Sequence, residues 1–284
     1  MFSLFVLIGC TSKNYSSIET DFISFLPSGA DIYLRYPVQQ NLKLSQEILT
    51  IFAPTMSKKN VNQLLKRLDT LYISIKGHQI NAIASGSFPS FALGIIFKEK
   101  NGWKKIKDDS IPITKKYYSS VESNFQIAFP NQSVVLISKN VTDLLKNYEK
   151  SYFNPPDFTE QDLFPFSKSN ISGVIDFSFP NFTNLLQAEI KGFNFKLPII
   201  STSGYLKFIS EADDNLTYLL DGYVDLVDFR ASKAAIAALK IAFRTLKLNF
   251  EIELQDNDME KIIHVEGPFY PIDFINKMVV DNNL

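Results

Sequence analysis

Few side chains in this chain could do chemistry. Among 284 residues there is one cysteine, Cys10, and there are two histidines, His78 and His264. Zinc centres need Cys and His in tight clusters, and neither histidine stands in a ligand-spaced group of Cys, His and carboxylates. A Ser–His–Asp triad can assemble from distant residues, but no Gly-x-Ser-x-Gly elbow marks a nucleophile. No glycine-rich loop is present to cradle a phosphate. Asp213-Asp214-Asn215 and Asp256-Asn257-Asp258 begin like calcium loops, yet each lacks the central glycine and the closing glutamate. Asp and Asn are also ordinary turn residues. The sequence therefore predicts no catalytic residue, no metal site, no cofactor and no enzyme.

The cysteine has a more informative setting. Met1-Phe-Ser-Leu-Phe-Val-Leu-Ile-Gly-Cys10 is apolar apart from Ser3, and Thr11-Ser-Lys-Asn-Tyr-Ser-Ser17 turns polar at once. The run is too short for a bilayer, which needs about 20 apolar residues. An apolar core that stops at a small residue has the shape of a secretory signal. Leu7-Ile8-Gly9-Cys10 resembles the lipobox of bacterial lipoproteins: a branched apolar residue, a tolerant position, a small residue, then cysteine. The segment departs from that pattern in having no Lys or Arg before the apolar core. The resemblance implies that residues 1–9 are a signal peptide, that the Cys10 thiol receives a diacylglycerol, and that the freed amino group is acylated. Two or three acyl chains, at about 0.8 kcal/mol per buried methylene, would anchor the chain durably in a membrane of the bacterial envelope, inner or outer.

Composition sets the remaining bounds. Hydrophobic content of 45% and charged content of 21% are those of a folded chain. A net charge of −1 lacks the basic excess of a nucleic-acid binder. Lys58 to Arg67 is the most basic stretch, and it reads as a solvated helix face. With a single cysteine no intrachain disulfide can form, so stability must come from packed cores. The 25 Phe and 12 Tyr supply that core, and they would also suit the wall of an apolar ligand cavity.

Periodicity predicts an α+β fold. Residues 10–21 form a polar tether. Alternation in Ile32 to Tyr36 predicts a strand ended by Pro37. Apolar residues at helical spacing predict a helix pair over 44–52 and 58–68. A hairpin follows at 71–76 and 79–85, with Gly77 in its turn. Strands are expected at Tyr117-Tyr118, Phe125–Phe129 and Ser133–Ser138, then a helix from Val141 capped by Asn140. Residues 154–168 are rich in proline and polar residues and read as a linker. Beyond them the pattern restarts: Ser172-Gly173, a strand and Phe179-Pro180 echo Ser28-Gly29, a strand and Tyr36-Pro37. Hairpins at 204–210/217–224 and 248–254/261–266 flank a heavily buried helix from Ala231 to about Leu246, and a terminal helix lies near 271–280. In the last hairpin, His264 points away from Ile263 and Val265.

The expectation is two similar units, 22–153 and 169–284, each running strand-helix-hairpin-helix-hairpin-helix on antiparallel sheets. The expected function is non-enzymatic binding or scaffolding in the envelope, with an envelope protein as partner. A carrier of lipid or another apolar ligand is the alternative, and an envelope hydrolase comes last.

Overall fold

The computed structural model describes residues 22–52, 58–77, 79–89, 97–99, 102–108, 116–121, 124–153, 159–165, 167, 173–180, 182, 199–212, 215–245, 247–256, 261–273 and 276. In chain order the elements are β1 (Ile32–Pro37), α1 (Leu42–Phe52), α2 (Lys58–Leu65), β2 (Leu68–Lys76), β3 (Gln79–Gly86), β4 (Trp103–Lys107), β5 (Lys116–Ser120), β6 (Gln126–Ala128), β7 (Val134–Ser138), α3 (Val141–Phe153) and α4 (Glu160–Leu163). They continue as β8 (Ile175–Phe179), β9 (Ile199–Ala212), β10 (Asn215–Leu226), α5 (Ser232–Thr245), β11 (Glu251–Asp256) and β12 (Lys261–Phe269). Short 3-10 turns lie at Phe22–Phe25, Gln39–Asn41 and Phe229–Ala231.

The strands form one 12-stranded sheet in the order β11-β12-β10-β9-β8-β1-β2-β3-β7-β6-β5-β4. Each neighbouring pair is antiparallel. The expected plural sheets are joined because β1 pairs β2 along one edge and β8 along the other. A strand has two hydrogen-bonding edges, and using both satisfies backbone groups that a sheet boundary there would leave open.

The predicted helix pair, the three hairpins, the two strands leading to Asn140 and the helix after it are all present. Gly77 takes the left-handed conformation its turn needs, at φ 54°. Three expectations change. Trp103–Lys107, read only as a basic stretch, is the edge strand β4. The helix at 232–245 buries only the stripe of Ser232, Ala235, Leu239 and Ala242, while Ile241 is 62% exposed. The stretch read as a linker contains α4, whose Thr159–Asp162 capping box starts a turn that buries Phe164. His78 and the tip residues Asp213, Asp214, Asn257 and Asp258 lie outside the described residues, as does most of the expected terminal helix, of which 271–273 and 276 are helical.

The front face of the sheet carries Tyr33 and Arg35, and the back face carries Leu34 and Tyr36. On the back, α1 and α2 pack over Tyr36, Leu68, Ala84, Val135 and Ile175. Further along the back, α5 packs over Val224, Ile263 and Val265. On the front of the first half, the 3-10 turn at Phe22–Phe25, α3 and Phe164 cover Tyr72, Ile83, Val134 and Leu136. Each large apolar side chain fully buried there contributes about 1.5–3 kcal/mol.

Candidate functional site

The front face of the second half is built differently. One row of cross-strand partners runs through all twelve strands: Glu253, His264, Tyr223, Ser203, Ser178, Tyr33, Ser74, Asn81, Ser138, Gln126, Ser119, Lys104. Every member is polar. The next row on the same face changes character midway. It runs Glu251, Glu266, Asp221, Tyr205, Asp176 and Arg35, then Tyr72, Ile83 and Leu136. Side chains two apart on a strand share a face, so together the two rows make a polar patch over β8, β9, β10 and β12.

Asp221 is its centre. The Tyr205 hydroxyl donates to Asp221 Oδ2. His264 Nε2 lies 3.0 Å from Asp221 Oδ1, and the Tyr223 hydroxyl also hydrogen-bonds this carboxylate. A carboxylate only accepts, so the imidazole proton sits on Nε2. The Tyr223 ring lies against the imidazole at 5.1 Å between centroids. Burial, then the Asp221 charge and hydrogen bond, then Glu266 push the Tyr223 phenol up to about 12. The same causes raise Tyr205, burial first and the Asp221 hydrogen bond next. Behind this cluster β9 and β10 approach closely. A Cβ on Gly204 would lie 2.2 Å from the Asp221 carbonyl oxygen, and the Phe177 ring fills the space over Gly204 and Gly222.

The second centre is the junction of the halves. Arg35 on β1 places Nη1 2.7 Å from Asp176 Oδ2 on β8 and Nε 2.8 Å from Glu160 Oε1 on α4. Asp176 is fully buried. Burial disfavours the guanidinium charge, but the hydrogen bond to Asp176 and the charges of Glu160 and Asp176 outweigh it and raise Arg35 above its usual range.

His264 is thus where the sequence placed it, opposite Ile263 and Val265, and it is half of a His–Asp pair that the sequence could not show. Asp221 is 43 residues away in the chain. The signal available was a mid-strand aspartate in an apolar context, in Val-Ile-Asp176-Phe and Leu-Leu-Asp221-Gly, where β propensity is poor. As chemistry, Tyr205, Asp221 and His264 could relay a proton. The nearest serine hydroxyl in the same row is Ser203, two strands from His264 and so about 9–10 Å away. Among the described residues no group of three His, Cys, Asp or Glu could hold a metal. Cys10 lies outside the described residues. No helix among them is long and apolar enough to cross a membrane.

A single antiparallel sheet with helices on both faces and a polar patch on one half makes an α+β body. Residues 18–267 match the family model of the outer membrane-associated lipoprotein TP0453, and the chain belongs to that family. It is a lipoprotein of the cell envelope. The match falls on the body, which carries no short motif of its own. The outer membrane protein TP0453 of Treponema pallidum (strain Nichols) is 26% identical over 137 residues, 48% of this chain and 46% of that protein. That alignment thus spans less than half of the curated relative. Crystal form III of TP0453 superposes with TM-score 0.62 at 18% identity, covering 90% of this chain and 97% of that one. Crystal form IV gives 0.61 at 17% identity, with 90% and 95% covered. At such identity these likenesses show the fold.

Proposed function

We propose that this chain is anchored to the outer membrane by lipid on Cys10 and acts there by binding or scaffolding rather than by catalysis. The observation that carries the binding role is the β9–β10 hairpin. β9 pairs β8 only from Thr202 to Leu206, yet pairs β10 out to Ala212. The hairpin runs past β8, and beyond Tyr218, which pairs Phe269, past β12 as well; at this end Phe208 is 45% and Ile209 53% exposed. Lys43 of α1 pairs with Glu211, and the Phe208 ring meets Tyr218, so the arm is held to the body. An apolar surface on a braced arm suits an envelope protein partner. The non-catalytic reading is supported by Asp221, whose carboxylate is occupied by three donors and ties three strands together.

We also infer that units 22–153 and 169–284 are copies of one ancestral unit, with 154–168 between them. Gly29 and Gly173 both take left-handed φ, 69° and 84°, shortly before β1 and β8. Counted outward from the β1–β8 junction, each half places its first, second and third strands and then its last.

Labelled palmitate should enter the wild-type chain and not Cys10→Ser; equal labelling would remove the anchor. A photo-crosslinker at Ile209 in intact membranes should trap a protein that the same probe at Lys247, exposed elsewhere on the body, does not. Identical adducts at both positions would remove the binding role of the arm.

A further inference from the structure

The two outer strands of the sheet are oppositely charged and geometrically matched. β4 exposes Lys104, Lys105 and Lys107, and β11 exposes Glu251 and Glu253. Edge strands present unpaired backbone groups, and a lysine-lined edge repels its own kind. Two β4 edges would bring lysines together and two β11 edges would bring glutamates together. Only β4 against β11 is attractive.

We infer that copies of this chain associate head to tail, with β4 of one pairing antiparallel to β11 of the next, so that the sheet continues from copy to copy. The occupant of each edge is therefore a second copy of this chain, and this inference does not depend on the lipid anchor. Three features support it. First, every neighbouring pair is antiparallel and the strand number is even, so β11 and β4 run in opposite directions. A copy displaced along the sheet thus offers β11 antiparallel to β4, with the same face forward.

Second, Lys104 and Glu253 end the same twelve-residue polar row. Continuing that row sets Lys104 opposite Glu253 of the next copy and diagonal to Glu251, the arrangement in which cross-strand charge pairs are favourable. Third, the same register sets Trp103 opposite Leu254 on the back face, and Leu254 is 39% exposed in the single chain. The contact is heterologous, since each copy uses one edge to give and the other to receive. Such contacts build rows or filaments unless a rotation closes them.

The test uses the full chain carrying Cys10→Ser, so that introduced thiols are the only ones. Opposed residues in an antiparallel pair lie within disulfide range. Mixing Lys104→Cys with Glu253→Cys under mild oxidation should yield a linked dimer about tenfold above either chain alone. In sedimentation, Glu251→Lys/Glu253→Lys should weaken self-association about tenfold, and mixing that chain with Lys104→Glu should restore it. Equal linking in mixed and single samples, or unchanged association after charge reversal, would overturn the inference. If a reversal chain does not fold, Trp103→Cys with Leu254→Cys reads the same register without altering charge, and no excess linking there would overturn it as well.

Discussion

The two halves of the front face solve one problem in opposite ways. Both lie on the same sheet, and a single in-register row crosses them. In the first half the neighbouring row is Tyr72, Ile83 and Leu136, closed by α3 and by Phe25 and Phe164. In the second half it is Asp176, Tyr205 and Asp221, closed by hydrogen bonds and an ion pair. The back face shows no such contrast, since helices pack apolar residues along both halves. Apolar closure is insensitive to pH and is weakened by changes of shape and volume. Closure by carboxylates is directional and depends on every partner staying in its protonation state.

The junction gives the largest test of that contrast. Arg35→Ala leaves buried Asp176 without its guanidinium and should cost about 3–5 kcal/mol in urea unfolding. Arg35→Met with Asp176→Leu removes both charges and should recover most of that loss. If the double change is as damaging as the single one, the ion pair is not what closes this part of the face. On the apolar side, Leu144, 1% exposed, packs from α3 onto the sheet. Leu144→Ala should cost about 3 kcal/mol, with the same loss at pH 6 and pH 9.

Asp221→Asn retains the shape but removes the charge that gathers Tyr205, Tyr223 and His264, and should cost about 1–3 kcal/mol. It should also separate two tyrosines. Tyr223 is pushed up to about 12 by burial and by Asp221, and Tyr36 on the back is pushed up to about 12 by burial against a small opposing bond from Ser45. Folding holds both phenol protons more tightly than the unfolded chain, whose tyrosines titrate near pH ~10. Their stabilisation is thus fully present below about pH 10 and falls as the pH climbs towards 12. In Asp221→Asn the Tyr223 titration should move down while Tyr36 stays, as followed by tyrosine ring resonances. A joint shift of both would erase the contrast. The smallest expected effect is at α4, where Thr159→Ala removes the side-chain cap from Asp162 N–H and should cost about 1 kcal/mol.

Much of this architecture is legible in the sequence because it is local. Alternation in Ile32–Tyr36, the Asn140 cap ahead of Val141, and Gly77 between two apolar runs each report structure within a few residues. His264 facing away from Ile263 and Val265 follows from strand periodicity alone. The polar patch is not local. Arg35 and Asp176 are 141 positions apart, and Tyr205, Asp221 and His264 meet only once β9, β10 and β12 are in register. β4 was missed because three lysines in five residues mask alternation, and that masking is what an edge strand needs. Phe164 was missed because Leu163 and Phe164, between Asp162 and Pro165, are too short an apolar run to show a period. The helix at 232–245 was overestimated because alanine suits a solvent-facing side as well as a core.

The pairing of β1 with β8 has a consequence for how the chain is made. A chain threaded out from its N-terminus delivers β1 and β2 well before residue 175 follows. Until β8 arrives, β1 is the open margin of a half-built sheet, exposed to every other nascent strand in the compartment. Arg35 at its middle is then a charge on that margin not yet paired with Asp176, and a charge pointing into a would-be partner sheet discourages wrong pairing. When Asp176 arrives the same side chain becomes the attraction that selects the right strand. One residue thus first guards the growing edge and later locks it, and slow delivery of the second half lengthens the time for which that guard is needed.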